Sequence, residues 1–280
     1  MIEAPEALFL SEQLGKNIIG KVIIDVIARH TPHKFAFFNG NPEIDYSTLL
    51  SGKTINQVNA HGGMVDIMAE DIHLVFTDGA NICLYNGNEK IPVKHQLMVI
   101  FDDNSCLTVS IRMYGGLLCF RENHFDAPIA EYYYSARSKP QVMTNDFSLD
   151  YFMELANNEF AQNKSVKALL ATEQNIPGLG NGVLQDILFN AKIHPKTKTG
   201  TLTNQQKTNL YHCIKSTLTA IYHSNGRNTE TDLFGKPGMY VPILSNKKAG
   251  KECPKCGGII KKENYLGGSI YFCRNCQDYS

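Results

Sequence analysis

The sequence predicts an α+β protein with a mostly β first half, a mostly helical second half and a small cysteine-rich hairpin at the C-terminus. Three observations support this prediction. Residues 106–113 alternate apolar and polar side chains as a half-buried strand requires. The hydrophobic period changes from two to about 3.6 near residue 146. Two Cys-x-x-Cys pairs then lie close to the C-terminus.

The first half is predicted to open with a short helix at residues 5–14, which Gly15 is expected to stop. Segments rich in β-branched and aromatic residues follow it, at 21–27, 35–38, 64–68, 72–76, 97–101 and 106–113. In the last of these, Leu107, Val109 and Ile111 face one side. This half is therefore expected to bury a β core.

The second half shows helical periodicity in three places. One predicted face consists of Phe152, Leu155, Ala156 and Phe160, and a second consists of Val183, Leu184, Ile187, Leu188 and Ala191. Thr203 and Gln206 have the spacing of a capping box, so a third helix is expected to begin there and to end at Asn225-Gly226. Consecutive helices are therefore expected.

The terminal cysteines have the spacing of a zinc ribbon. Cys253 and Cys256 form one pair, Cys273 and Cys276 form the other, and each pair offers two sulfurs on a tight turn. The segments between them favour a two-stranded hairpin. Two disulfides are the alternative, although nothing else in the chain indicates an oxidising compartment. Because four thiolates fill a tetrahedral Zn²⁺ site, the metal is expected to be structural.

A glycine-rich turn precedes the second predicted helix. Pro177, Gly178 and Gly180 favour a tight turn with exposed backbone amides, and Asn181 is suited to cap the helix that follows. Amides and the positive end of a helix dipole stabilise an anion, so such a turn can hold a phosphate. An ordinary helix entry is the alternative. Lys192 and His194 lie at the far end of the same helix.

The charge balance argues against bulk electrostatic binding to nucleic acid. Lysine and arginine together number 27 and equal the number of acids, so any such binding must depend on local clusters. Residues 236–262 hold seven lysines, Lys261 and Lys262 among them, and the alternative is a solvated face. An acidic start and the lack of a long apolar run lead us to expect a cytoplasmic protein without a membrane span.

Several of these motifs, in this order, resemble the formamidopyrimidine-DNA glycosylase and endonuclease VIII family. They are the Met-x-Glu-x-Pro-Glu start, the Pro-Gly-Leu-Gly-Asn turn, the Ile-His-Pro segment at 193–195 and the four cysteines closing in Cys-Gln. The resemblance covers essentially the whole chain. It implies an N-terminal β-sandwich, a helix-two-turns-helix motif and a zinc ribbon, with domains expected at 1–130, 131–235 and 236–280. It further implies that damaged duplex DNA is the partner and that the protein is a monomer.

The resemblance also implies base-excision chemistry. In the family an N-terminal amine forms a Schiff base with the sugar, and the adjacent acid matches Glu3 here. Ile2 stands at the family's proline position, so the primary amine of Met1 or of Ile2 is the expected nucleophile. Glu6 matches a further family position. Asn181 and Gly180 are expected to contact phosphate, while Arg112 and Tyr114 are expected to fill the gap left by an extruded base. DNA contacts are also expected from Lys192, His194, Lys261 and Lys262.

Two family positions are changed in this chain. Gly63 stands where the family carries a lysine, and Gly268 stands where the ribbon presents an arginine. Two main hypotheses follow: a DNA glycosylase with or without lyase activity, and a catalytically impaired protein that binds lesions or bent DNA. A zinc-ribbon protein acting on RNA is a third. The lesion itself carries no signature in the sequence.

Overall fold

The computed structural model describes residues 1–77, 79–122 and 130–277. It divides the chain into two compact units. The first consists of Met1–Arg137 and Asn225–Met239, and the second consists of Ser138–Ser224 and the chain from Tyr240 onward. The segment after the last long helix thus packs with the N-terminal unit, whereas the predicted division placed most of it with the helices.

The first unit is a two-sheet sandwich. One sheet has the order β1-β7-β8-β6 and the other has the order β2-β9-β5-β4-β3. Neighbouring strands are antiparallel except β2 and β9, which are parallel. Apolar residues of both sheets and of the first helix share one core. The strands are β1 (Ile23–Ala28), β2 (Ala36–Phe37), β3 (Ile55–His61), β4 (Met64–Ala69), β5 (Ile72–Phe76), β6 (Ala80–Tyr85), β7 (Leu97–Phe101), β8 (Cys106–Ile111) and β9 (Gly115–Arg121).

Three helices accompany the sheets: α1 (Ala4–Ile18), α2 (Pro42–Leu50) and α3 (Ala130–Ser138). Glu3 and Glu6 form a capping box that starts α1. The predicted stop at Gly15 was wrong, because the helix continues to Ile18. Leu14 and Ile18 are fully buried, and their burial outweighs the cost of about 1 kcal/mol that glycine imposes on a helix interior.

The second unit contains helices α4 (Leu149–Asn157), α5 (Glu159–Gln162), α6 (Asn181–Ala191) and α7 (Asn204–His223), and the hairpin strands β10 (Ile260–Tyr265) and β11 (Gly268–Cys273). The predicted apolar face of α6 is buried, and Thr203 and Gln206 form the predicted capping box of α7. Phe160 was wrongly placed with Phe152. The chain turns at Asn158, which is extended and caps α5, so Phe160 is 80% exposed.

The segment after α7 returns to the sandwich. Asn225 and Gly226 both have positive φ angles, which end the helix. Leu84 then donates a backbone hydrogen bond to the carbonyl of Leu233, and Leu233 donates to the side chain of Gln13. This path brings Arg227 and Glu230 beside the N-terminus. Within the described ranges, every helix is too short or too polar to cross a bilayer.

Candidate active site and nucleic-acid-binding surfaces

The terminal amine of Met1 lies against a carboxylate. Its nitrogen is 2.8 Å from Oε1 of Glu230, and the side chain of Glu230 is 12% exposed. An ion pair that is partly shielded from water is stronger than one at an open surface. The amine is therefore held in one place, at the edge of the first unit's core.

Arg227 fixes the first residues of the chain. It is buried, and its Nε donates to Oε1 of Glu6 at 2.6 Å, its Nη1 to Glu3 at 3.3 Å and its Nη2 to the carbonyl of Met1 at 2.9 Å. Burial alone would lower the pKa of Arg227, but the carboxylates of Glu3 and Glu6 raise it above its ordinary value. The network of Met1, Glu3, Glu6, Arg227 and Glu230 is called the N-terminal cluster below.

The two candidate nucleophiles occupy different environments. Ile2 is 3% exposed and belongs to the apolar core shared by the two sheets. Its buried side chain anchors the backbone, so that the amine of the preceding residue lies at the cluster. Sequence reasoning proposed Met1, Ile2, Glu3 and Glu6, but it missed Arg227 and Glu230. These two residues follow the turn at 225–226, more than 220 positions away, and only folding brings them to the N-terminus.

Arg112 and Tyr114 follow strand β8 in a loop that carries exposed side chains. Arg112 donates to Oδ1 of Asn81 at 2.7 Å and to the carbonyl of Thr229 at 3.0 Å. Tyr114 is 45% exposed. Gly79 is required beside this loop, because a Cβ on it would lie 1.6 Å from the carbonyl oxygen of Tyr114.

Gly63, which stands where the resembled family carries a lysine, follows Gly62 in a tight turn between β3 and β4. His61 ends β3, and its Nε2 is 3.6 Å from Oδ2 of the buried Asp66. Asp66 also accepts a hydrogen bond from Tyr133 of α3, so the carboxylate partner of His61 lies on the sheet face that contacts α3. Lys53 forms an ion pair with Glu70 at 2.7 Å.

In the second unit, Asn181 connects the glycine-rich turn to the hairpin. The expectation that Asn181 caps α6 was wrong, because Gly180 is the extended N-cap and Asn181 is the first helical residue. Its Nδ2 instead donates to the carbonyl of Ser269 at 2.8 Å. Gln185, one turn later, accepts from the backbone of Tyr271 at 3.0 Å. The turn and the hairpin therefore lie side by side.

Lys167 lies at the same place and was missed by sequence reasoning. Its Nζ donates to the carbonyl of Tyr265 at 2.5 Å, and burial lowers its pKa. A Cβ on Gly268 would lie 3.5 Å from both Lys167 Nζ and Asn181 Nδ2. Two side-chain donors therefore lie beside Gly268, where the absence of a side chain leaves space. The set of Gly180, Asn181, Lys167 and Gly268 is called the turn-hairpin site below.

The remaining predicted contact residues are Lys192, His194, Lys261 and Lys262. Lys192 is exposed at the C-cap of α6 in a left-handed conformation. His194 is buried, its ring 4.3 Å from that of Phe272, and burial lowers its pKa. Lys261 and Lys262 are exposed on β10, where successive side chains point to opposite faces.

The four cysteines form a cluster suited to a metal ion. Their sulfurs all lie within 4.8 Å of one another, with Cys253 and Cys276 at 3.8 Å and Cys256 and Cys273 at 3.4 Å. A tetrahedron with Zn–S bonds of about 2.3 Å has edges of about 3.8 Å. The backbone amide of Cys273 also donates a hydrogen bond to Oε1 of Gln277 at 3.0 Å. The four residues are positioned to bind one metal ion.

The known proteins that this chain resembles include formamidopyrimidine-DNA glycosylases. The family model of the formamidopyrimidine-DNA glycosylase H2TH domain matches residues 139–232. A formamidopyrimidine-DNA glycosylase of Bacillus licheniformis is 26% identical over 285 residues, which cover 99% of each chain. One of Geotalea uraniireducens is 28% identical, with 99% of this chain and all of the relative covered.

Two solved structures share the fold. The Lactococcus lactis Fpg in complex with DNA that contains an abasic site has a TM-score of 0.80 at 22% identity. MutM in complex with DNA that contains carbocyclic 8-oxo-G has a TM-score of 0.81 at 22% identity. In both comparisons 99% of this chain and 100% of the other chain are covered.

Proposed function

Because this chain belongs to the formamidopyrimidine-DNA glycosylase and endonuclease VIII family, we propose that it is a base-excision repair enzyme. It binds duplex DNA that carries a damaged base or an abasic site, cleaves the N-glycosidic bond and nicks the strand through a Schiff base. The observation that carries this proposal is the N-terminal cluster, in which one buried arginine holds the carbonyl of Met1 and the carboxylates of Glu3 and Glu6.

The chemistry starts with extrusion of the base, because its sugar cannot be reached inside a stacked duplex. The amine of Met1 supplies the electron pair that forms a bond to C1′, and the bond from C1′ to the base breaks. Glu3 is proposed to protonate the ring oxygen, so that the sugar opens as the Schiff base forms. Loss of a C2′ proton then expels the 3′ phosphate. The N-terminal cluster fixes both reacting groups within one network.

The turn-hairpin site is proposed to bind the DNA backbone. The amides that follow Gly180 and the side chains of Asn181 and Lys167 supply donors and one cation, which suits a phosphate. In this proposal Lys167 contributes charge beside Gly268, where the family's ribbon arginine is missing. Lys192, Lys261 and Lys262 are proposed to add weaker long-range attraction, and His194 is proposed to act by packing.

Arg112 and Tyr114 are proposed to fill the gap in the stack after the base has left. A planar guanidinium and an aromatic ring both stack on bases. Arg112 would have to exchange its contact with Asn81 for contacts with DNA. The loop that carries these two side chains is held by the close approach of Gly79.

We propose that the metal is one structural Zn²⁺ held by Cys253, Cys256, Cys273 and Cys276. When bound, it cross-links the two ends of the hairpin. With four sulfur ligands it has no open position for water, so its role is to hold β10 and β11 near the turn-hairpin site. We further propose that the protein acts on DNA as a monomer in the cytoplasm.

The alternative is a protein that binds damaged or bent DNA without reacting. Gly63 and Gly268 favour it, because both replace residues that the family uses. Assays on a set of duplexes, each with one oxidised purine or pyrimidine, distinguish the repair enzyme from the binding protein. Release of a free base and a nicked strand supports the enzyme. Tight, salt-sensitive binding with intact strands across the set supports the alternative.

A further inference from the structure

We propose that Glu230 is a catalytic residue that positions the amine of Met1 and accepts its proton before attack. This inference rests on the proposed function and adds a group that the family resemblance does not supply. The amine nitrogen lies 2.8 Å from Oε1 of Glu230, which is within reach for direct proton transfer. The side chain is 12% exposed, so the pair is only partly screened by water.

The attack needs an acceptor for one amine proton, and the carboxylate of Glu230 lies within reach of it. A free α-amine is mostly protonated below a pH of about 7.7, and an ammonium has no electron pair to donate. Transfer of one proton from nitrogen to Oε1 leaves a neutral Glu230 and a nitrogen lone pair. That pair forms the bond to C1′ while the bond to the base breaks, and the base leaves with the bonding electrons and takes up a proton. Glu230 then returns its proton to solvent.

The other acids of the N-terminal cluster contact Arg227. Glu6 accepts the Nε of Arg227 at 2.6 Å and its backbone amide at 3.1 Å, and Glu3 accepts Nη1 at 3.3 Å. The opposite oxygen of Glu230 is 3.4 Å from Nη1 of Arg112. Charged groups of the described residues near the amine and Glu230 include Arg112, Arg227, Glu3 and Glu6. The amine itself forms an ion pair with Glu230.

The backbone around Glu230 is held rigidly. Its amide donates to the carbonyl of Arg227 at 3.0 Å, and its carbonyl accepts from Gly238 at 3.1 Å. A Cβ on Gly238 would lie 2.2 Å from the carbonyl oxygen of Gly226, so only glycine allows this approach. A carboxylate on a fixed turn holds its partner with little loss of entropy on reaction. Glu230 thus supplies position as well as a proton acceptor.

Single-turnover borohydride trapping on a duplex with an abasic site tests this inference. The variants are Glu230→Gln, which keeps the shape, and Glu230→Asp, which keeps the charge. Glu43→Gln is the matched control, because Glu43 is exposed in the first turn of α2. Near pH 7 we expect a loss of about 100-fold for Glu230→Gln, partial rescue by Glu230→Asp, and no change for the control.

The pH profile distinguishes a proton acceptor from a fold defect. The loss in Glu230→Gln should be largest at low pH and shrink as the pH rises, because hydroxide can then take the proton that residue 230 no longer accepts. Trapping by Glu230→Gln within twofold of the unchanged protein at every pH would overturn the inference and leave the proposed function intact. A pH-independent loss accompanied by a lower melting temperature would also overturn it. Absence of any adduct with the unchanged protein would overturn both proposals.

Discussion

At the residue scale, Arg227 has the strongest structural role in the candidate active site. It joins the carbonyl of Met1 to the carboxylates of Glu3 and Glu6 inside the protein. Removing one partner of a buried ion pair leaves an uncompensated charge, which costs far more than the loss of a surface contact. The stability of the first unit and the geometry of the proposed nucleophile therefore depend on the same side chain.

Replacing Arg227 by Met should lower the free energy of unfolding by about 3–5 kcal/mol, because two buried carboxylates lose their counterion. Urea titration measures this change. Arg121→Met is the control, since Arg121 pairs with Asp71 at an exposed site and its loss should cost less than about 1 kcal/mol. Equal effects of the two substitutions would contradict the role assigned to Arg227.

A second buried network predicts how stability depends on pH. Asp66 is fully buried and accepts from His73 at 3.0 Å and from Tyr133 at 2.8 Å. Burial alone would raise the pKa of Asp66, but the hydrogen bonds from His61, His73 and Tyr133 lower it to about 2. A depressed carboxyl pKa stabilises the fold above the unfolded value of 3.8, and this contribution disappears as the pH falls further.

The free energy of unfolding should therefore decrease by about 2 kcal/mol between pH 4 and pH 2 through Asp66. Asp66→Asn should lose this part of the pH dependence, while Asp150→Asn, at an exposed helix position, should keep it. The contribution of His73 has the opposite sign and another range, because its pKa is raised above 6.5. Parallel curves for all three proteins between pH 4 and pH 2 would contradict the assignment.

At the element scale, the start of α6 is tied to β11. Asn181 and Gln185 lie one turn apart on the helix, and both contact the hairpin backbone at Ser269 or Tyr271. Gly180 occupies the N-cap without a side-chain cap, and the Asn181 side chain contacts the hairpin instead. This contact holds the amides of the turn beside Lys167 and Gly268.

Asn181→Ala should weaken binding to a duplex with a stable abasic-site analogue by about tenfold, because a hydrogen bond to a charged group contributes about 1.5–3 kcal/mol. Fluorescence anisotropy measures the affinity. Asn204→Ala is the matched control, since Asn204 is the first residue of α7. Its affinity should stay within twofold. Equal affinities for both variants would remove Asn181 from the DNA-binding site.

Elements whose evidence is local were predictable from the sequence. The capping box of α7, the buried face of α6 and each Cys-x-x-Cys pair depend on residues a few positions apart. The predicted end of α1 was wrong because the burial of Leu14 and Ile18 outweighs the local preference of Gly15 to stop a helix. The predicted position of Phe160 was wrong because the chain turns at Asn158. The side chain of Asn181 also found a partner 88 residues away. No spacing rule reports such a contact.

At the scale of the whole molecule, the chain forms two units, and the first is completed by a segment from beyond the second unit's helices. Arg227 and Glu230 lie in that segment and contact Met1, Glu3 and Glu6. Glu3 and Glu6 could be proposed from the sequence because they sit in the family's opening motif. Their partners could not, because the loop at 227–230 carries no recognisable pattern.

Metal removal should weaken DNA binding at least tenfold, because the cysteine cluster joins the two ends of the hairpin that carries part of the turn-hairpin site. A chelator should release one equivalent of metal, which a colorimetric zinc assay measures. Added Zn²⁺ should restore binding, and Mg²⁺, which prefers oxygen ligands, should not. Unchanged affinity in protein shown by mass spectrometry to be metal-free would contradict the structural role.

The central claim is that the amine of Met1 attacks the sugar of a damaged nucleotide. The most direct test combines intact-mass measurement with borohydride trapping and peptide mapping of the DNA adduct. We predict that Met1 is retained and that the deoxyribose remnant is found on its amine, with Glu3→Gln reducing the yield about 100-fold. A remnant on an internal lysine, a missing Met1, or no adduct with an abasic duplex would contradict the account.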